Sequence, residues 1–360
     1  MADPEKPDDT ATRAAKRRRA IGWPLVIGLA LVAGAAFFAL ADVKKFRAIA
    51  VDVQPLWLLA AVVATVCAYL CFTGAFAAAT KIAGQPRAFG PIVPTSFVSQ
   101  AVNNLLSSGG LGGLAIRIYG LGQLGVPAGA ATAVSAITTI SNDVITALGL
   151  LLSIVYIINH SEDLSSRALY TLIALAFVAV GFVVGAITAL RNPSVRGRII
   201  DFIGRYAERL SAKLAKRGSA AMVSGSFREE MLAAFQSALA HPRRLVVPVA
   251  WMAFDVIFRV GCLWASFAAI GHPQPIRRVA AGFMIGISAG ALSLVPGGIG
   301  VIEGSMAAVF SFVGVELEVA AVAVIVFRLA FYVMPLGAVA LLFRPLLRGR
   351  SQLPPREQRA

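Results

Sequence analysis

The 360-residue sequence predicts an all-α polytopic membrane protein, with about six spanning helices and two re-entrant helical hairpins arranged as an inverted repeat. Three observations carry this expectation. Hydrophobic residues make up 58% of the chain and charged residues only 14%, with a mean hydropathy of +0.77, whereas a soluble domain has roughly a quarter of its residues charged. Apolar runs of about 20 residues recur, the length a helix rising about 1.5 Å per residue needs to cross about 30 Å of hydrocarbon. Two further apolar segments are broken by glycine and resemble one another. The composition excludes an ordinary soluble enzyme and turns the net charge of +15 into a question of sidedness.

The elements follow in order. A basic tail, 1–20, ends in Lys16, Arg17, Arg18 and Arg19 and leads into a span at 21–41. That apolar stretch exceeds the roughly 7–15 residues of a signal-peptide core, so it reads as an uncleaved anchor. A span at 55–79 is followed by the first glycine-broken segment, 91–125, and by spans at 127–158 and 168–190. After a loop at 191–244 come a span at 245–270, the second glycine-broken segment at 275–314, a long span at 316–343 and a basic tail at 344–360. The membrane domain thus runs from 21 to 343. Short cytoplasmic loops retain Lys and Arg. If each glycine-broken segment returns to the side it entered, both termini, Lys81, Arg87 and the basic 191–244 loop share the cytosolic face. Nucleic acid is not an expected partner, because a basic patch reads it only from a soluble face.

The glycine-broken segments align. Gly109-Gly110-Leu111-Gly112-Gly113-Leu114 matches Gly297-Gly298-Ile299-Gly300-Val301-Ile302 at an offset of 297 − 109 = 188, and Gly125-Val126 answers Gly314-Val315. Each segment follows one ordinary span and precedes one long span, giving repeat A at about 55–158 and repeat B at about 245–343. With the sidedness above, one hairpin enters from the cytosol and the other from outside, the pattern of inverted-repeat transporters. Glycine permits backbone to turn at membrane depth by close approach, and Pro296 ends the helix before the second turn. The half-helix after each turn is expected to offer free N–H groups to an anion such as a phosphate headgroup.

Six ionisable residues fall at membrane depth: Arg117, Asp143, Asp255, Arg259, Glu303 and Arg328. Each costs about 2.5–3.5 kcal/mol on insertion scales, so each is expected to face a cavity or a partner. Asp255 and Arg259, four apart on one helix, read as a structural ion pair. Arg117 and Glu303 stand just past the two glycine turns and are the foremost site candidates. Asp143 and Arg328, with Tyr332 one turn beyond, project from the two long helices. Asn103 and Asn104 serve the hairpin backbone. No cofactor or metal is expected: Cys67, Cys71 and Cys262 lack ligand spacing, and His160, His241 and His272 fall in loops.

The run Val295-Pro296-Gly297-Gly298-Ile299-Gly300-Val301-Ile302-Glu303, followed by Phe327-Arg328-Leu329-Ala330-Phe331-Tyr332-Val333-Met334-Pro335, resembles the transmembrane domain of the lysylphosphatidylglycerol synthase family. In the first half, Asn104, Gly112, Arg117 and Asp143 stand where that family has Asn, Gly, Arg and Asp. Where the family often carries an arginine shortly before this Asp, the chain reads Thr138-Thr139-Ile140-Ser141-Asn142. The resemblance implies a flippase-like membrane domain that moves aminoacylated phospholipid between leaflets in a bacterial inner membrane. It marks Asn104, Gly112, Arg117, Asp143, Pro296, Gly297, Gly298, Gly300, Glu303, Arg328 and Tyr332 as a headgroup or transport site. A separate soluble domain attaches the amino acid in that family, and the 191–244 loop is too small for one.

In that loop, Ile199, Ile203, Tyr206, Leu210 and Leu214 recur at three- and four-residue steps among arginines and lysines. They predict an amphipathic helix at about 196–217 on the anionic inner leaflet. Phe227, Met231, Phe235 and Leu239 repeat the pattern more weakly. The expected function is transport of a phospholipid-like amphiphile, without enzymatic activity. The alternatives are a membrane-embedded lipid-modifying transferase and a non-transporting accessory subunit of a lipid-synthesis assembly. Membrane phospholipid is the expected partner, and a second copy of the chain or a lipid-synthesis enzyme stays open beside it.

Overall fold

A computed structural model describes residues 53–106, 111–160, 166–192, 226–292, 298 and 300–337, with 194, 195, 197, 198, 201, 202 and 205. The expected span at 21–41, both tails, most of the 196–217 helix, and Gly109, Gly110, Pro296 and Gly297 lie outside these residues. The described chain is helical, with no strand among the described residues.

Helix α1 (Pro55–Ile82) begins with a proline in its first turn, where no N–H is needed. It leads to a hairpin of two short helices, α2 (Phe89–Leu106) and α3 (Leu111–Gln123). Then come α4 (Ala128–His160), α5 (Ser166–Arg191) and α6 (Phe227–Ala240). Helix α7 (Val246–Ala269) leads to a second hairpin of α8 (Ile276–Leu292) and α9 (Val301–Phe312). The last described helix, α10 (Leu317–Arg328), continues into a single π turn at Leu329–Val333. Among the described residues, five stretches are long and apolar enough to cross a membrane: Pro55–Ile82, Ala128–His160, Leu169–Thr188, Pro242–Ala269 and Leu317–Gly337. Together with the family assignment below, they make this a multi-pass membrane protein.

The repeat is written into the helix ends. Helices α1 and α7 both stop at a left-handed glycine, Gly84 and Gly271, with φ of 75° and 74°. At both, the next amide reaches back to close the turn: Gln85 N to the Thr80 carbonyl at 2.8 Å, His272 N to the Phe267 carbonyl at 3.1 Å. The hairpins end the same way at Gly125 and Gly314, where Val126 N bonds the Leu121 carbonyl and Val315 N bonds the Phe310 carbonyl, each at 3.0 Å. These are Schellman closures, which satisfy orphan carbonyls only where the residue tolerates positive φ.

The two copies run in opposite directions. Gln54 N donates to the Ala269 carbonyl at 2.7 Å, the Trp57 and Trp264 rings meet edge to face at 5.3 Å, and Gly74 lies against the Trp251 ring. Positions rise along α1 as they fall along α7, so these equivalent spans are antiparallel.

Each hairpin is knit by glycine. Along α8, Gly282, Gly286 and Gly290 recur every four residues and receive Phe310, Met306 and Ile302 of α9. In the first hairpin the glycines sit on the second helix, where Gly113 lies against Asn103 and Gly120 against Thr95. Without water to drive association, helices in lipid gain from such close packing. Hydroxyls along the spans bond back to carbonyls of their own helix, among them Thr73 to Tyr69 and Ser141 to Ile137, which satisfies these donors within the helix.

Helix α6 corrects one expectation. Its apolar face does not lie on the leaflet: Phe227, Met231, Ala234 and Ala238 are buried with Phe76, Ile82, Leu121, Val126 and Val134. The Glu230 carboxylate accepts the Gly129 amide at 3.0 Å, and Ser237 Oγ donates to the Ile82 carbonyl at 2.9 Å. A carboxylate at the start of α4 meets orphan N–H groups and the positive end of the helix dipole, which fixes α6 on protein.

Candidate functional site

The second glycine turn delivers the first functional side chain. Gly298 and Gly300 take φ of 58° and 82°, and α9 starts immediately after them. The Glu303 carboxylate then folds back and accepts the Gly300 amide at 2.8 Å, the acidic half of a capping box. The anion site expected at this half-helix is therefore filled by the chain's own carboxylate. The cause is sequence spacing: an acid three residues into a helix reaches its own N-terminus.

Glu303 also faces a cation. Arg328 Nε lies 3.0 Å from Glu303 Oε1, and Arg328 Nη2 donates to the Gly298 carbonyl at 3.3 Å. The guanidinium stands 4.5 Å above the Tyr332 ring, within cation–π range. Gly298, Gly300, Glu303, Arg328 and Tyr332, spread over 35 positions of sequence, thus form one cluster. Glu303 and Arg328 remain partly accessible, at 21% and 13% of their side chains, whereas Asp255 below is closed off.

The π turn organises the surroundings. Met334 N bonds the Leu329 carbonyl five residues back, widening the helix by one residue, a feature frequent at functional sites. Tyr69 of α1 donates to the Phe331 carbonyl at 3.5 Å and accepts from Asn104 Nδ2 at 3.2 Å. One phenol therefore ties the first hairpin to the second repeat. Asp255 and Arg259 form an ion pair on α7, with Asp255 1% exposed, and the Arg259 guanidinium lies 5.7 Å from the Phe331 ring. Two ion pairs thus reach the neighbouring rings Phe331 and Tyr332.

Arg117 and Asp143 are not brought into this cluster. Arg117 is buried, with Nε 3.3 Å from Ser99 Oγ and its guanidinium 5.1 and 5.9 Å from the Phe72 and Phe76 rings. Those rings lie one and two turns along α1 from Tyr69. Asp143 accepts from Asn142 Nδ2 at 3.1 Å. The matched placement of Arg117 and Glu303 therefore does not make them partners; the cation that meets Glu303 is Arg328. Gly112 lies in the first turn of α3. Tyr69 and the Phe331 carbonyl were not among the sequence candidates, and the available signal was a lone phenol inside an apolar span. Among the described residues, no group of three or more His, Cys, Asp or Glu is placed to hold a metal ion.

Fold and cluster together define a polytopic membrane protein with two ion pairs set among apolar helices of its second repeat. The chain belongs to the family described as the lysylphosphatidylglycerol synthase TM region, whose sequence profile matches residues 25–338. It is also similar to a UPF0104 membrane protein from Methanothermobacter thermautotrophicus, at 24% identity over 297 residues, covering 78% of this chain and 82% of that protein.

Proposed function

We propose that this protein moves a phospholipid-like amphiphile between the leaflets of a bacterial cell membrane, as a transporter without catalytic chemistry of its own. The observation that carries the reading is the accessible Glu303–Arg328 pair, held between a glycine turn and a π turn in a chain of this lipid-related family. Opening such a pair in lipid is costly, because each bare charge is worth about 2.5–3.5 kcal/mol. A headgroup with a phosphate and an ammonium offsets that cost by taking both partners at once, phosphate to Arg328 and ammonium to Glu303. Arg117 of α3 stays apart from this pair, buried against Phe72 and Phe76 of α1, and Asp143 stands on α4. Both termini and the 191–244 loop lie in the cytosol in this reading, with the basic 196–217 segment on the anionic leaflet.

Leaflet-resolved transfer of fluorescent phosphatidylethanolamine in reconstituted vesicles tests it. Glu303→Gln and Arg328→Gln each reduce transfer by at least about tenfold, the equivalent of about 1.4 kcal/mol on the barrier. Wild-type transfer no faster than in protein-free vesicles, across several headgroups, overturns the proposal.

A further inference from the structure

Pro335 stands where the last described helix needs a donor. In an α-helix the amide of residue 335 would serve the carbonyl of residue 331, and in the wider π register that of residue 330. A proline serves neither, and its ring crowds the carbonyl four residues back. The π turn at Leu329–Val333, closed by Met334 N on the Leu329 carbonyl, accommodates that ring. The Phe331 carbonyl is left without the donor its own helix would supply, on a residue only 2% exposed.

Tyr69 of α1, equally buried, brings one from outside the helix. Its hydroxyl donates to the Phe331 carbonyl at 3.5 Å, a long bond but one aimed at the acceptor that Pro335 cannot serve. A phenol has a single proton to give. Asn104 Nδ2, in the last turn of α2, donates to the phenol oxygen at 3.2 Å and so leaves that proton for Phe331. The Tyr69 and Phe331 rings also meet, at 5.6 Å. Arg328 immediately precedes the π turn and Tyr332 lies within it, so the carbonyl that Tyr69 holds falls between the cation and the ring it stacks on.

We infer that Tyr69 is a positioning residue for the Glu303–Arg328 pair: its hydroxyl stands in for the amide that Pro335 lacks and holds the π turn that sets Arg328 against Glu303. The inference rests on the transport reading for what the pair does. It adds that the first hairpin, through Asn104, bears on a pair in the second repeat.

The test compares the full chain with Tyr69→Phe, Pro335→Ala and the double variant in nanodiscs of phosphatidylethanolamine and phosphatidylglycerol, by amide hydrogen exchange. Tyr69→Phe keeps the ring and removes only the hydroxyl. It is expected to speed exchange in 329–337 about threefold, the size of an average hydrogen bond between membrane helices, and to leave 317–326 unchanged. Pro335→Ala returns the in-helix donor, so Tyr69→Phe in that background is expected to change nothing further. Asn104→Leu, which spares Tyr69, gives a smaller rise in the same peptide. Exchange in 329–337 at the wild-type rate in Tyr69→Phe, an equal rise in 317–326, or the same rise with and without Pro335 overturns the inference. Lipid transfer in reconstituted vesicles separates the two readings. Transfer that falls about threefold with the rise in exchange supports both, and transfer at the wild-type rate despite that rise overturns the positioning role alone. The expected exchange pattern in a protein whose wild-type form transfers no lipid supports the hold on the π turn and sinks transport.

Discussion

At the scale of single residues, two backbone positions govern whether the charge cluster exists. Gly298 and Gly300 adopt φ values that cost an L side chain roughly 1–2 kcal/mol, and a Cβ on Gly298 would also meet Ile302 Cγ1 at 2.7 Å. Gly298→Ala is expected to be the more damaging, lowering the thermal midpoint in detergent further than Gly300→Ala. Glu303 does two jobs at once, capping α9 and neutralising Arg328. Gln at this position keeps an acceptor for the Gly300 amide but removes the charge. Glu303→Gln should therefore leave helix content by circular dichroism unchanged while transfer falls, and Glu303→Ala should lose both. The sequence motif brought these residues to notice, but their partnership was not legible from hairpin position. Arg117 and Glu303 correspond along the chain, yet only Arg328, 25 residues downstream, is set by α10 to face the acid.

At the scale of elements, hydrophobic spacing found α6 and misassigned its neighbour. The stretch reads as a weak amphipathic helix from Phe227 and Met231, which do dock it, while Ala234, Ala238, the glycine opposite and the Glu230 carboxylate complete the contact and carry little weight in an apolar count. Gly129 sits under the Phe227 carbonyl and Met231 amide of α6. Gly129→Val should pry α6 off the body, seen as faster amide exchange in 227–240 with the spans unaffected. Glu230→Gln should weaken the same contact by about 0.3–1 kcal/mol, the usual range for a charge at a helix end. The paired helix stops give a finer test. Gly84→Ala and Gly271→Ala impose the same backbone strain, but a Cβ at Gly84 lies 3.3 Å from Ser237 Oγ, whereas Gly271 is open. The Gly84 variant is expected to be the less stable of the two in chemical denaturation.

At the scale of the whole molecule, the architecture was largely legible, because span length, glycine breaks and a repeat at near-constant offset are all properties of sequence alone. The antiparallel pairing of α1 with α7 needed contacts between residues about 200 positions apart, such as Trp57 with Trp264, and no local pattern encodes those. The orientation proposed from the distribution of Lys and Arg is open to a direct check. In a chain with Cys67, Cys71 and Cys262 replaced by Ala, an impermeant maleimide applied to intact cells should label His160→Cys, whereas His241→Cys should react only after permeabilisation. The reverse pattern would turn the protein over and with it the sides each hairpin serves.

The left-handed glycines that close both copies also mark off intervals that can be compared in length. Between Gly84 and Gly125 the first unit counts 41 steps, and between Gly271 and Gly314 the second counts 43. The two intervals differ by two residues while both keep a left-handed glycine at each end. A frame set by such stops accommodates different lengths and different charges between them, Arg117 in the first interval and Glu303 in the second.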